Sequence, residues 1–268
     1  MKPAPFDYAA PETIEEALEL LDEDALVLAG GQSLVPLLNL RLSRPARLVD
    51  VNRIHELATL KRSDGSLSIG ATVRQAALER SPVVRRGWPL LAQAVRYAGH
   101  AAIRSRGTVG GSAAHADPNA ELPVALTALN ARFHLRGPRG ARVVEEFFTG
   151  PLETALEPGE LLTAIELPPL PADSRTAFAE YAATHGSFAT AGVAVVRAPG
   201  YAAIALLGTG SHPIRAPKAE EALREGRTRE AAELAAGEIA HPHRRALVAA
   251  LAREAIDAAA PRDTPPAP

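Results

Sequence analysis

The 268-residue chain contains no cysteine, which excludes a disulfide, a thiolate nucleophile and a conventional cysteine-ligated iron–sulfur cluster. Any such cluster belongs on another chain. An excess of one charge is lacking too: 29 Lys and Arg stand against 31 Asp and Glu, with a pI near 6.5. A nucleic-acid partner is therefore not expected. No apolar run approaches the roughly 18 residues that a membrane span needs, and Met1-Lys2-Pro3-Ala4-Pro5-Phe6-Asp7 has no apolar signal core. A cytoplasmic location is the expectation. The Gly-Lys-Ser/Thr of a P-loop is missing, which argues against an ATPase, and so is the G-x-G-x-x-G of a Rossmann dinucleotide site. What is present is 47% hydrophobic residues, enough for a sizeable core and, at this length, for two domains.

Two glycine segments stand out. Ala29-Gly30-Gly31-Gln32-Ser33-Leu34 and Thr108-Val109-Gly110-Gly111-Ser112 each set paired glycines beside a small hydroxyl residue, just before an expected helix or compact turn. Glycine lets backbone N–H groups approach an anion without side-chain obstruction. Each segment alone is weak evidence, because glycine pairs mostly serve turns. Together they suit one diphosphate, whose charge converging N–H dipoles can hold without a fixed lysine.

Around these segments the sequence predicts alternating elements. Thr13-Ile14-Glu15-Glu16 fits a capping box opening a helix to about Asp22, and residues 25–29 form a short apolar strand. A brief helix from Val35 and a strand over 48–51 then complete a strand–loop–helix–strand unit compatible with parallel pairing. Residues 57–60 and 67–69 flank Asp64-Gly65 as a hairpin. Thr72-Val73-Arg74-Gln75 reads as a second capping box for a helix to Arg80. Helices over 88–98 and from Pro123 to about Asn130 follow, then antiparallel strands over 132–136, 141–144 and 161–167. The proline run 168–171 marks the boundary. Beyond it come a hairpin, 189–197 with 201–207, and three alanine-rich helices from about Pro217, Thr228 and His243. The tail 261–268 is expected to be disordered.

Other polar residues carry less. Asp117 and Glu121 could present two carboxylates on one side of a turn, one of them accepting from ribose hydroxyls; alternatively Asp117 caps the turn and Glu121 decorates a helix start. His100, His115, His185, His212, His241 and His243 show no metal pattern, and no metal is assigned. Arg104 and Arg106 read as a solvated face rather than a phosphate guide. No Ser/His/Asp triad follows from spacing.

Taken with their surroundings, the two segments resemble a known family. Ala29-Gly-Gly-Gln-Ser-Leu-Val-Pro-Leu-Leu38, then Arg41-Leu-Ser-Arg-Pro45 and Leu48-Val-Asp-Val51, is similar to the opening of the flavoprotein (medium) subunit of the xanthine dehydrogenase and carbon monoxide dehydrogenase family. The block from Ile103 to Pro123 agrees, as does Gly159-Glu160-Leu161-Leu162. The resemblance spans most of residues 1–215. It implies an α+β protein: a two-lobed, vanillyl-alcohol-oxidase-like (PCMH-type) FAD-binding domain over 1–170, with lobes of about 1–54 and 55–170. A smaller α/β domain with an antiparallel sheet and helices follows over 171–260.

The resemblance further implies that noncovalent FAD is held by Ala29, Gly30, Gly31, Gln32, Ser33 and Leu34 together with Thr108, Val109, Gly110, Gly111 and Ser112. Glu121 would contact the nucleotide, with Asp117 a secondary candidate, while Leu162 and Phe188 would lie near the flavin ring. The family relays electrons. A molybdenum-cofactor large subunit oxidises substrate, an iron–sulfur small subunit carrying [2Fe-2S] clusters passes electrons singly, and FAD delivers them to an acceptor, in a dimer of heterotrimers. The absence of cysteine fits that division and excludes the benzoyl-CoA-reductase-like variant, whose flavin subunit bears its own cluster. One departure is marked: Glu180, Ala183 and Thr184 replace a lysine and an arginine pair common in the family, so a cationic group beside the reduced flavin is not evident. The other readings are a non-redox nucleotide-binding or assembly module and a stand-alone FAD oxidoreductase.

Overall fold

The computed structural model describes residues 2–184, 186–237 and 239–261. The chain opens with β1 (Asp7–Ala9), α1 (Ile14–Leu20), β2 (Ala25–Leu28), α2 (Leu34–Asn39) and β3 (Arg47–Asp50). The three strands form a parallel sheet in the order β1-β3-β2. Thr13 caps α1 by accepting the Glu16 N–H at 3.1 Å, but the Glu16 carboxylate reaches one residue further back, to the Glu12 N–H at 2.9 Å. Ile14 and Ala17 on the inner face of α1 pack with Val49, Val51, Ile54 and Leu57 in a small apolar core.

A five-stranded antiparallel sheet follows, ordered β4 (Leu60–Ser63), β5 (Ser66–Gly70), β10 (Leu161–Leu167), β6 (Arg132–Gly137), β7 (Gly140–Val144). The β4–β5 turn is Asp64-Gly65, both at positive φ (51° and 83°), the geometry that an Asp-Gly hairpin turn favours. Of residues 57–60, expected as strand, the first two belong instead to a 3₁₀ turn, His55–Ala58. The Leu57 side chain is buried and its carbonyl accepts the Thr72 N–H at 2.9 Å, which holds the chain off the sheet. Between β5 and β6 run six helices: α3 (Gln75–Arg80), α4 (Pro82–Gly87), α5 (Pro89–Val95), α6 (Ala101–Arg106), α7 (Val109–His115) and α8 (Glu121–Ala128). The small hairpin β8 (Phe148–Gly150) with β9 (Glu153–Thr154) precedes β10.

The second capping box is not formed. Helix α3 starts at Gln75 with Arg74 at its N-cap and no side-chain cap bond. Thr72 is buried, and the chain there is committed elsewhere: Val73 donates to Gly70 O and accepts from the Val109 N–H at 2.9 Å. This stretch serves as a seat for the second glycine segment.

Past the proline run lies a four-stranded antiparallel sheet, β11 (Arg175–Ala182), β12 (Ala189–Ala198), β13 (Tyr201–Leu207) and β14 (Ile214–Arg215), then α9 (Pro217–Arg224), α10 (Thr228–Ala236) and α11 (Pro242–Ala258). Strands β11 and β14 are additions to the sequence expectation. In β11, Ala177 and Ala179 face the alanine-rich helices while Phe178 faces the preceding region. A strand whose alanines meet alanine-rich helices on one face carries no β-branched run for the sequence to show. Helices α9 and α11 pack on one face of this sheet and α5 and α8 on the other. The largest apolar core accordingly runs from Leu67 through α8 to Leu207, across the proline run. Trp88, 1% exposed, donates its indole N–H to Pro168 O at 2.8 Å and pins that run in place. Of the tail 261–268, all but Pro261 lies outside the described residues, as does His185.

Candidate functional site

The first glycine segment connects β2 to α2. Gly31 has φ +71°, which favours glycine. Among the described residues, the five consecutive backbone N–H groups from Gly30 to Leu34 donate to no acceptor within the chain. The loop's own polar side chain folds back, Gln32 Nε2 donating to Gly30 O at 3.0 Å. Ser33 makes no side-chain cap bond. A row of unpaired N–H groups bordering a cavity is an anion cradle.

The second segment is built differently. Thr108 caps α7 by accepting the Gly111 N–H at 3.0 Å. The Val109 N–H is bound to Val73 O (2.9 Å), that of Gly110 to Ala71 O (2.9 Å) and that of Ser112 to Thr108 O (3.1 Å). The expectation that both segments offer backbone N–H groups in the same way is therefore corrected: from Val109 to Ser112 these donors are already engaged. Gly110 is needed for close packing, because a Cβ there would lie 2.6 Å from Ala71 Cβ. Val109 is fully buried and does not border the cavity, a second correction.

The two segments touch. A Cβ on Gly30 would lie 2.5 Å from Arg106 O and 2.8 Å from Gly107 Cα, and one on Gly111 would lie 4.0 Å from Ala29 Cβ. Both border one cavity of about 1020 Å³, the upper end of the roughly 300–1,000 Å³ typical of cofactor sites. Of the residues singled out by sequence, all except Val109 line it: Ala29, Gly30, Gly31, Gln32, Ser33, Leu34, Thr108, Gly110, Gly111, Ser112, Asp117, Glu121, Leu162 and Phe188. Two more were missed. Thr72 and Gln75, 5% and 7% exposed, line the same cavity, and Thr72 Oγ1 and Gln75 Oε1 have no hydrogen-bond partner. Buried polar atoms of this kind are costly unless a ligand meets them, so the lining fits a large, polar, anionic cofactor such as FAD.

Asp117 holds its turn, its carboxylate accepting the Asn119 N–H at 2.8 Å. Glu121 is the first residue of α8 and 6% exposed. Burial, reinforced by the charge of Asp117, pushes its carboxyl up to about 7. On β11, Thr176 Oγ1 donates to Gln93 Oε1 (3.2 Å) and the Phe178 ring meets Tyr97 in a tilted contact, centroids 5.4 Å apart. Strand alternation puts Glu180 on that same face. Burial first, and then the charge of Glu121, push the Glu180 carboxyl up to about 7 as well, and its Oε2 is buried without a partner. Where the resemblance led to a lysine, the chain thus sets a second carboxyl group within electrostatic reach of Glu121.

Leu162 is buried at the bulge of β10, and Phe188 stands at the rim, 66% exposed. Ala183 and Thr184 are exposed, with Thr184 and Ser187 closing a turn (Ser187 Oγ to Thr184 O, 2.8 Å). Arg104 is not on a solvated face, as expected from sequence: its side chain is 11% exposed and binds Glu79 at 2.9 Å and Gly99 O at 2.7 Å, fastening α6 to α3. Among the described residues no group of three or more His, Asp or Glu side chains could hold a metal ion, and no helix is long and apolar enough to cross a membrane.

Comparison with known proteins agrees with this geometry. Residues 4–170 match the family described as "FAD binding domain in molybdopterin dehydrogenase". The chain is 42% identical over 234 residues to the 6-hydroxypseudooxynicotine dehydrogenase complex subunit alpha of Paenarthrobacter nicotinovorans, covering 83% of this chain and 79% of that one. It is 42% identical over 226 residues to caffeine dehydrogenase subunit beta of Pseudomonas sp. strain CBB1, covering 80% and 77%. Among solved structures, carbon monoxide dehydrogenase from Hydrogenophaga pseudoflava superposes with a TM-score of 0.92 at 35% identity, covering 97% of this chain and 98% of that one. The chain belongs to the FAD-binding medium-subunit family of the xanthine dehydrogenase and carbon monoxide dehydrogenase type, a family of oxidoreductase subunits.

Proposed function

We propose that the chain is the electron-relay subunit of a molybdenum hydroxylase complex. It holds noncovalent FAD and carries electrons from [2Fe-2S] clusters on a small partner subunit to an external acceptor. The molybdenum cofactor resides on a large partner subunit, and the assembly is a dimer of heterotrimers in the cytoplasm. The names of the relatives support this reading, being those of dehydrogenase complex subunits and medium chains. The absence of cysteine requires the clusters to lie on other chains. The observation that carries the reading is the single cavity bordered by both glycine segments, with five free N–H groups on one wall.

The proposed division of labour among residues is supported by their places around the cavity. The N–H row from Gly30 to Leu34, with Ser112 Oγ opposite, holds the diphosphate, and Thr72 and Gln75 supply the polar contacts they otherwise lack. Glu121 meets the nucleotide, with Asp117 shaping its turn, and Leu162 and Phe188 bracket the flavin ring and keep water from it. Bound FAD supplies the capacity to take up electrons singly and hand them on in pairs. The proposed architecture is the two-lobed PCMH type, lobes 1–54 and 55–170, followed by the domain 171–260. The separate parallel and antiparallel sheets support it. The test is flavin content: apoprotein titrated with FAD is expected to bind one equivalent with quenched fluorescence. A colourless protein that cannot be reconstituted would instead favour a non-redox assembly module, and substrate turnover by the isolated chain a stand-alone oxidoreductase.

A further inference from the structure

The cavity lining contains no lysine or arginine among the described residues. A diphosphate there is met by N–H dipoles and polar side chains without a lysine or arginine, and such contacts weaken steeply with distance and angle. The spacing of the two glycine segments is therefore a determinant of affinity in its own right. What sets it lies behind the cavity wall, in residues that neither the motif nor the lining includes.

Asn52, just after β3, donates from Nδ2 to Ala29 O at 2.8 Å, and its Oδ1 accepts from an Arg74 guanidinium nitrogen at 2.7 Å. The other terminal nitrogen of Arg74 donates to Arg106 O. One asparagine and one arginine thus join the carbonyl at the start of the first segment to the carbonyl just ahead of the second. Asp50 orients the asparagine, its Oδ1 accepting from both Asn52 Nδ2 (2.6 Å) and the Asn52 N–H (2.9 Å). The Tyr8 hydroxyl donates to the other oxygen of Asp50 at 2.6 Å. The chain of bonds runs from β1 through β3 to both segments.

The bond to Ala29 O also fixes direction. In a trans peptide the C=O and the following N–H point oppositely, so holding Ala29 O toward Asn52 turns the Gly30 N–H to the cavity side. The Ala29 carbonyl, which would repel an anion, is thereby kept away from it, while Gly30 O is already engaged within the loop by Gln32 Nε2 at 3.0 Å.

We propose that Asn52 and Arg74 are positioning residues: a clasp that sets the spacing of the two glycine segments and aims the first of them at the diphosphate. The proposal rests on the FAD-binding reading above. Because the clasp acts on a grip that needs both segments at once, its loss reduces the advantage of a diphosphate over a monophosphate. A residue that merely supported the fold would weaken all ligands alike.

The experiment titrates purified apoprotein with FAD, ADP and AMP for the wild type, Arg74→Ala, Asn52→Ala and the double variant, with thermal unfolding of each. Each single variant is expected to bind FAD and ADP about tenfold more weakly, the loss of one or two hydrogen bonds. AMP affinity should change less than twofold. The double variant should be no worse than the weaker single one, since either removal opens the clasp. Should Arg74→Ala fail to fold, Arg74→Lys, which keeps the charge and stem but not the planar fork, takes its place with the same expectation. FAD binding by the wild type, with every variant within twofold of it or with FAD and AMP weakened equally, overturns the clasp alone. A wild type that binds neither FAD nor ADP overturns the clasp together with the reading beneath it.

Discussion

Gly30→Ala probes the contact on which the site depends. The new methyl carbon would sit 2.5 Å from Arg106 O and 2.8 Å from Gly107 Cα, both backbone atoms. A relaxed contact lies near 3.5 Å, so the segments must part by roughly 1 Å. The second segment cannot simply swing aside: Arg106 O is held by Arg74, and the Gly107 N–H is bound to Ile103 O at 2.7 Å. Overpacking of this kind costs about 1–3 kcal/mol of stability. The effect on ligand is expected to be as large, because a displacement of that size breaks at least one charge-assisted bond to the diphosphate, worth about 1.5–3 kcal/mol, or roughly ten- to a hundredfold in affinity. Denaturant unfolding and FAD titration of the apoprotein measure the two effects separately. Gly87→Ala at the end of α4, where no atom lies within 4 Å of the added carbon, is the control and should leave FAD affinity unchanged and stability equal or up to about 1 kcal/mol higher. A Gly30→Ala protein with wild-type stability and wild-type FAD affinity would show that the two segments are not locked together in solution.

Gly111→Asp is expected to abolish FAD retention, since its carboxylate enters the cavity opposite Ala29; it also crowds Thr108 Oγ1 at 2.6 Å and weakens the α7 cap by about 1 kcal/mol. A folded variant that retains full flavin would refute the assignment of that wall. Glu121→Gln should change how apoprotein stability depends on pH. A carboxyl raised in the fold to about 7 contributes stability that is complete below its unfolded value and is lost as pH rises through about 7. The variant lacks this loss, so it should gain on the wild type by about 3 kcal/mol between pH 4.5 and pH 8; a difference independent of pH refutes the burial argument. Trp88→Phe removes the donor to Pro168 O and should lower stability by about 1–3 kcal/mol, read as a shifted denaturant midpoint at constant slope. An unchanged midpoint would mean that the proline run is held by other contacts.

Local signals in the sequence were accurate where the cause was local. Asp64-Gly65 adopts the positive φ pair of its hairpin, Thr13 caps α1, and Pro217, Thr228 and His243 fall at or beside the starts of the alanine-rich helices. Errors arose where distant partners competed. Thr72 matched a capping box, yet its N–H was drawn to Leu57 O while its neighbours Ala71 and Val73 accepted from Gly110 and Val109, and β11 escaped notice because its alanines have meaning only between two covering layers. Residues lining the cavity were legible in the sequence, and the hydrogen bonding among them was not. Nothing in Gly30-Gly31 or Gly110-Gly111 tells which pair keeps its N–H groups free. Nor does their spacing reveal that Glu180 approaches Glu121, or that Asn52 and Arg74 join carbonyls far apart in the chain.

By itself, then, the sequence determined the glycine segments, the turns and caps, the family likeness they carry and the exclusion of any cluster bound through cysteine. Backbone conformation and side-chain chemistry over a few residues suffice for these. The tertiary structure alone decided which donors remain unpaired, which carboxyls are buried together and what holds the two segments at their spacing. Those are properties of pairs separated by tens of residues in the chain, whose energies depend on distance and on exclusion of water and exist only once the fold has brought the partners together.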